Sequence, residues 1–202
     1  MTIAVFLDRD GTLNEEVGYI KNVDDLHLIS GAAKAVSKLN DANILTILTT
    51  NQSGPARGYY EESHVHALNK RLVELLKQES GAWLDAIYYS PYHPQGVVPE
   101  FTKDSDCRKP GTGMIRQATE KFPEIDLVNS YVLGDKATDV EFAVNAGCKG
   151  ILLRTGYGED VLKGQYQELN VKPYLICRDI VEAVERILAD HAKLMAEQGG
   201  HV

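Results

Sequence analysis

The stretch Ile3-Ala4-Val5-Phe6-Leu7-Asp8-Arg9-Asp10-Gly11-Thr12 decides how the whole chain reads. Its five consecutive apolar residues mark a strand buried on both faces, as in a parallel sheet covered by helices. The run stops at Asp8, and a second carboxylate follows two positions on. On extended backbone alternate side chains share a face, so Asp8 and Asp10 are expected to point the same way. Two carboxylates ~4 Å apart repel by ~1 kcal/mol in water and by ~4 kcal/mol at an effective dielectric of about 20. A strand end that holds both calls for a cation. An all-oxygen donor set suits Mg²⁺, which brings substrate phosphate as further ligands. Gly11 permits a tight turn or the close approach of a ligand. The competing reading is a strand followed by a polar turn, and the rest of the chain decides between them.

Working outward, the pattern of an apolar run ending in polar residues recurs. Residues 44–49 read as a second buried strand, closed by Thr50-Asn51-Gln52-Ser53-Gly54. Residues 84–89 read as a third, 131–133 as a fourth followed by Gly134-Asp135-Lys136-Ala137-Thr138-Asp139, 150–153 as a fifth and 174–177 as an edge strand. Helical periodicity covers 31–40, 61–79, 112–121, 139–146 and 180–196. Residues 14–25 read as a loop, 156–172 show no clear pattern, and 199–202 are expected to fray. The alternation predicts an α/β fold: a doubly wound, Rossmann-like parallel sheet in a single domain spanning 1–202, with no large cap domain. One long loop interrupts it at 90–108, where Pro91, Pro94, Gly96 and Pro99 stand among few apolar residues. Ligands of such sheets bind beyond the carboxyl ends of the strands, where Asp8/Asp10, Thr50/Asn51 and Asp135/Asp139 converge.

The chain has 202 residues, 44% hydrophobic and 25% charged, with a net charge of -8 and a pI near 5.2. The acidic balance argues against a nucleic-acid partner. No apolar run nears the ~20 residues that span a bilayer, and no basic region precedes the first short one. Three widely spaced cysteines, Cys107, Cys148 and Cys177, fit a reduced, cytoplasmic compartment, with the latter two as core thiols. A monomer acting on a small phosphorylated metabolite is expected.

Phosphoryl transfer needs an oxygen nucleophile, positive charge over the equatorial oxygens and a proton for the leaving group. Asp8 suits the nucleophile, forming an aspartyl phosphate. Asp10 suits the acid that protonates the leaving alkoxide and the base that then activates water. Asp135, with Asp8 and Asp10, suits Mg²⁺. Thr50 offers a hydroxyl and Lys109 a fixed positive charge to the phosphate. A one-residue slip would exchange Thr49 for Thr50. Lys136 reads either as a site lysine or as a solvated one. Asp139 reads either as support for the metal or as a helix-start acid favoured by the dipole. Arg9 reads as a surface residue or a support for the site.

These residues resemble the four motifs of the haloacid dehalogenase superfamily: Asp8-x-Asp10-Gly11-Thr12, Thr50-Asn51, Lys109 and Gly134-Asp135-x3-Asp139, in that order along the chain. The resemblance implies the same roles, with Asp10 offering the metal its backbone carbonyl. It narrows, through Gly18-Tyr19, Ala56-Arg57-Gly58, His93-Pro94-Gln95-Gly96 and Cys107-Arg108-Lys109-Pro110, to the subgroup of heptose bisphosphate 7-phosphatases and histidinol-phosphate phosphatases. That subgroup implies substrate contacts at Glu16, Val17, Gly18, Tyr19, Thr50, Asn51, Gln52, Ser53, Arg108 and Lys109. Arg108 would clamp the distal part of the substrate, such as a second phosphate. The implied substrate is D-glycero-D-manno-heptose 1,7-bisphosphate, losing its 7-phosphate, with histidinol phosphate or another sugar phosphate as the alternative. Many members hold zinc in the long loop through Cys-x-His and Cys-x-Cys. Here those positions are Ser90, Tyr92, Ser105 and Cys107, so zinc is not expected, and the prolines and packing of Tyr92 with Phe101 must order the loop.

Two other functions compete. A receiver-type signalling domain also gathers acids, a Thr and a Lys on a parallel sheet, but its phosphoacceptor follows a middle strand. A binding protein that has lost catalysis would not need all four motifs intact.

Overall fold

The computed structural model describes residues 2–199. Six strands, β1 (Ala4–Leu7), β2 (Leu45–Asn51), β3 (Ala86–Ser90), β4 (Tyr131–Gly134), β5 (Lys149–Leu153) and β6 (Leu175–Cys177), form one sheet in the order β3-β2-β1-β4-β5-β6. Every pairing is parallel. Phe6 sits in register with Ile47 on one side and Val132 on the other, so β1 is central.

The helices are α1 (Ala32–Asp41), α2 (Glu62–Ser80), α3 (Gly113–Lys121), α4 (Ala137–Ala146), α5 (Gly158–Leu162) and α6 (Ile180–Gly199). The period of two along β1 divides the core. Val5 and Leu7 pack with Val36 of α1, Leu72 of α2 and Val184 of α6 on one face. Ala4 and Phe6 pack with Ile115 of α3 and Phe142 of α4 on the other. Each fully buried large side chain stabilises the sheet by about 2–3 kcal/mol. The apolar run around Phe6 is therefore continuous because both of its faces are covered.

Three elements differ from the sequence reading. β2 runs on through Thr50 and Asn51, which pair with Tyr89 and Ser90. The turn residues are strand residues because β3 continues the ladder beside them, and Gln52 N–H still donates to Ser90 O at 2.8 Å. β3 starts later, at Ala86, because Asp85 turns its carboxylate onto the Thr46 N–H at 2.7 Å. The unpatterned 156–172 segment contains the short helix α5. The final helix extends to Gly199; the expected fraying of 200–202 lies outside the described residues.

No large cap is inserted among the described residues, and the longest irregular stretch follows β3. The strand order reverses between β1 and β4, and the crevice at such a switch point opens beyond the carboxyl ends. Asp8 and Asp135 directly follow those two strands. Among the described residues no helix is long and apolar enough to cross a membrane.

Candidate active site

The floor of the crevice is a buried knot of charge. Asp8, Asp135 and Asp139 each place a carboxylate oxygen within 4.8 Å of the others. Lys109 Nζ lies 2.5 Å from Asp139 Oδ1 and 3.0 Å from Asp8 Oδ1, and donates to the Thr49 carbonyl at 3.0 Å. Asn51 fixes its backbone: Lys109 N–H donates to Asn51 Oδ1 at 3.0 Å, and Asn51 Nδ2 returns a bond to Lys109 O at 3.1 Å. Lys136 Nζ lies 3.0 Å from Glu16, 3.3 Å from Asp135 and 4.0 Å from Asp8. Gly11 and Gly156, both at positive φ, put bare backbone against Asp135, where a β-carbon on either would collide with its carboxylate.

Burial alone would push the Asp8 carboxyl up; Lys109, Lys136 and hydrogen bonds from Lys109 and Thr50 outweigh it and hold Asp8 below the usual range. Asp135, fully buried, is pushed up to about 7 by burial, with Asp8 and Asp139 adding and Lys136 opposing. Asp139 also rises, through burial and the Asp8 charge, against Lys109. Lys109 is raised although burial opposes it, because Asp139 and Asp8 favour its ammonium form. Four carboxylates, Asp8, Asp135, Asp139 and Glu16, thus meet two ammonium groups, an excess of two negative charges. Asp8 Oδ1 and Asp135 Oδ1 are buried, with the ammonium groups of Lys109 at 3.0 Å and Lys136 at 3.3 Å as their partners. Carboxylates outnumbering ammonium groups, three of them converging with oxygen donors alone, fit a hard divalent cation such as Mg²⁺.

Asp10 stands apart from this cluster. Its Oδ1 accepts from Asn14 Nδ2 at 3.0 Å and its Oδ2 from Gln52 Nε2 at 2.8 Å, with Arg9 Nη2 3.1 Å from Oδ2. Asp8 and Asp10 both line the cavity above this floor, but the Asp10 carboxylate is held by Arg9, Asn14 and Gln52 and is not one of the three that converge as potential ligands. Arg9 is not a surface residue: it is 1% exposed and orients Asp10 while also bonding Asn69 at 3.3 Å. Thr50, not Thr49, faces the site, since its hydroxyl bonds Asp8 and accepts from Gln52 Nε2 at 3.0 Å. Asp139 caps α4 by accepting from the Lys136 N–H at 3.0 Å and also ion-pairs Lys109.

Above the floor lies a cavity of about 240 Å³ lined by Asp8, Asp10, Glu16, Tyr19, Gln52, Ser53, Arg108 and Lys109, among others. Gly18 and Asn51 line it too, whereas Val17, 58% exposed, does not. Its rim is cationic. Arg57 and Arg108 both face the cavity, and among the described residues no carboxylate ion-pairs with either. Arg57 Nη2 lies 3.0 Å from His93 Nε2. The Gln95 N–H donates to His93 Nδ1 at 3.0 Å, so a neutral His93 carries its hydrogen on Nε2 and offers Arg57 no acceptor. Burial, Arg108 and Arg57 all lower the His93 pKa, which keeps the ring neutral. Arg57 Nε is buried without a partner. Arg108 Nη1 donates to Tyr92 O at 3.1 Å, so only part of its guanidinium remains for a ligand.

Ring packing and backbone hydrogen bonds run through the long loop. Tyr92 packs on Phe101, centroids 6.4 Å apart, and Lys103 Nζ sits 3.9 Å from the Tyr92 centroid. Val97 N–H donates to Ala56 O at 2.7 Å, tying the loop to the segment after β2. Among the described residues Asp8, Asp135 and Asp139 are the one group of three or more His, Cys, Asp or Glu side chains close enough to share an ion, and no such group lies in the loop. Sequence reasoning missed Arg57, Tyr60, Tyr157, Tyr166 and Gln167, which line the cavity. Arg57 stands in a quoted motif without a role, and the last three come from the unpatterned segment, so no periodicity pointed to them.

A doubly wound sheet with an aspartate after β1, a lysine before α3 and two more aspartates around the start of α4 defines a hydrolase of the haloacid dehalogenase type. The HAD-hydrolase-like family model matches residues 106–183. The chain is 52% identical over 187 residues to the D-glycero-D-manno-heptose-1,7-bisphosphate 7-phosphatase of Thermosynechococcus vestitus, covering 91% of this chain and 94% of that one. It is 42% identical over 155 residues to the D-glycero-beta-D-manno-heptose-1,7-bisphosphate 7-phosphatase of Escherichia coli K12, covering 76% and 80%. The crystal structure of the D,D-heptose 1,7-bisphosphate phosphatase from B. bronchiseptica, complexed with magnesium and phosphate, superimposes with a TM-score of 0.81 at 29% identity, covering 94% and 99%. The chain belongs to this family of phosphatases.

Proposed function

We propose that this phosphatase acts as a single-domain, Mg²⁺-dependent phosphomonoesterase that removes the 7-phosphate of D-glycero-D-manno-heptose 1,7-bisphosphate through an aspartyl phosphate on Asp8. The observation that carries the chemistry is Asp8 itself: held ionised by two lysines beside two further buried carboxylates, with the cavity open above it. An Asp8 oxygen attacks phosphorus and the bond to the sugar oxygen breaks. Asp10, aligned by Arg9, Asn14 and Gln52, gives that oxygen its proton. A water molecule then attacks the phosphoryl group, Asp10 takes its proton, and Asp8 and inorganic phosphate are released. Thr50 and Lys109 bind phosphoryl oxygens throughout, and Lys136 supplies a second positive charge. Asp8, Asp135 and the Asp10 backbone carbonyl would hold Mg²⁺, with Asp139 positioning Lys109 and closing the carboxylate cluster. The ion supplies charge neutralisation between nucleophile and phosphate.

The rim supports the substrate. Arg57 and Arg108 without carboxylate partners suit a second phosphate and disfavour histidinol phosphate, whose amine and imidazole carry positive charge. Asp10 next to Asp8 supports turnover over a receiver-type signalling role, in which the phosphoryl group must persist. Free, buried Cys148 and Cys177 support a reduced cytoplasmic setting, and we take the enzyme to act as a monomer.

The test is kinetic and chemical. Purified protein with Mg²⁺ is expected to show its highest kcat/KM on heptose 1,7-bisphosphate, with histidinol phosphate and sugar monophosphates well below, and quenched turnovers are expected to leave label on Asp8. A higher value on histidinol phosphate overturns the substrate, and label elsewhere overturns the mechanism.

A further inference from the structure

We infer that Tyr157 and Tyr166 form a wall that recognises the carbon skeleton of the substrate, a specificity element supplied by the segment after β5. This rests on the sugar-phosphate reading above. The cavity lining is almost wholly charged or polar, and among the described residues its only large carbon surfaces are the rings of Tyr19, Tyr60, Tyr157 and Tyr166. A phosphorylated sugar offers anions at its ends and C–H faces between them. The lysines and arginines account for the anions, and the ring faces are what remains for the C–H surface.

The wall is firmly attached to the reaction centre. Thr155 Oγ1 donates to Gly11 O, the carbonyl just past the two N-terminal aspartates. Tyr157 N–H donates to Asp135 Oδ2 at 2.8 Å. Tyr166 then stacks on Tyr157 with centroids 4.0 Å apart and planes 10° from parallel, while Lys136 Nζ lies 5.2 Å from the Tyr157 centroid. Beyond it, Gln167 Oε1 accepts from the Thr138 N–H at 3.4 Å, and Leu169 and Val171 pack on the cluster of Ala137, Val140, Leu152 and Val161. A surface ring with no duty would not need anchors on both sides. Tyr166 nevertheless keeps 45% of its surface open, on a cavity whose floor holds the nucleophile. The geometry suits a ring that receives a ligand face: rigid, oriented and incompletely covered.

The test separates recognition from support. Tyr166→Ala and Tyr166→Phe are compared with the parent chain on heptose 1,7-bisphosphate and on glycerol 3-phosphate, whose three-carbon skeleton offers the ring far less C–H surface. Tyr166→Ala is expected to raise KM for the bisphosphate by about tenfold, with kcat within about twofold. It should leave kcat/KM for glycerol 3-phosphate and inhibition by inorganic phosphate unchanged, and Tyr166→Phe should restore KM. An unchanged KM on the bisphosphate, or an equal loss on both substrates, overturns the proposal. If the parent chain ignores the bisphosphate, the substrate reading fails by itself. The same comparison on its best sugar phosphate then judges the wall.

Discussion

On the cavity floor, Lys109 meets two carboxylates at 2.5 and 3.0 Å; at the rim, Arg57 and Arg108 meet none. Both regions concentrate positive charge where a phosphorylated substrate must enter, yet they are built by opposite rules. The floor is buried and densely cross-linked, so each group fixes the next: Asn51 holds the Lys109 backbone, Lys109 holds Asp139, and Asp139 accepts from the Lys136 N–H. The rim is half open, and its guanidiniums face a neutral histidine and a carbonyl rather than acids. A site that does chemistry needs preorganised charge; a site that chooses substrates needs donors still to be satisfied. The contrast predicts that floor substitutions strike kcat and that rim substitutions strike KM.

The strongest break comes from the nucleophile. Asp8→Asn is expected to lower kcat by about 10⁴-fold or more while circular dichroism stays native. Retained turnover would remove Asp8 from its role and dissolve the distinction between floor and rim.

Next is the acidic surplus. EDTA should abolish activity and Mg²⁺ restore it. The Asp135 carboxyl sits at about 7 without metal, so protons compete with the ion there. Magnesium affinity, read from the rise in Tm on titration, should therefore increase by up to about tenfold per pH unit below 7 and level off above it. The stability sign follows. A carboxyl raised in the folded state costs stability as pH climbs from its unfolded value of 3.8 to about 7. Asp135→Asn removes that cost, so in EDTA at pH 8 the variant should melt above the parent, whereas with Mg²⁺ the order should reverse. A lower Tm for the variant in EDTA would show that the floor is not electrostatically strained.

The rim comes third. Arg57→Ala should raise KM for the bisphosphate by about 10-fold and leave a monophosphate nearly unaffected, with an effect that shrinks at high salt. Equal losses on both substrates would make Arg57 structural. The smallest effect belongs to the long loop: Tyr92→Ala should lower Tm by only a few degrees while speeding proteolysis between residues 93 and 106. Metal analysis of the parent protein is expected to find little zinc, and a full equivalent would reassign what orders that loop.

Much of the floor was legible because its residues sit where regular elements stop. An apolar strand that ends abruptly in an acid is visible in one dimension, and it happens after both β1 and β4. The parallel sheet was legible for the same reason, through the unbroken apolar runs of its central strands. What escaped was set by tertiary neighbours. β2 reaches Asn51 only because β3 lies alongside, and polar Thr50 and Asn51 resemble a turn when read alone. The partners of Asp10 are Arg9, Asn14 and Gln52, which no alternation rule encodes. Arg9 is buried because Asp10 neutralises it and Asn69 accepts from it. Tyr157 and Tyr166 gave no period at all, since a backbone bond to Asp135 fixes the first and stacking on Tyr157 places the second.

The loop after β3 leaves the molecule with an unusual resilience. Its shape depends on Tyr92 lying against Phe101, an ammonium over a ring and backbone bonds to Ala56, with Cys107 as its sole thiol. Peroxide has no cluster of thiolates there to oxidise, so neither peroxide nor a chelator of soft metals is expected to alter the fold of the loop. Substrate selection at the rim is then expected to be indifferent to the redox and trace-metal state of the surroundings.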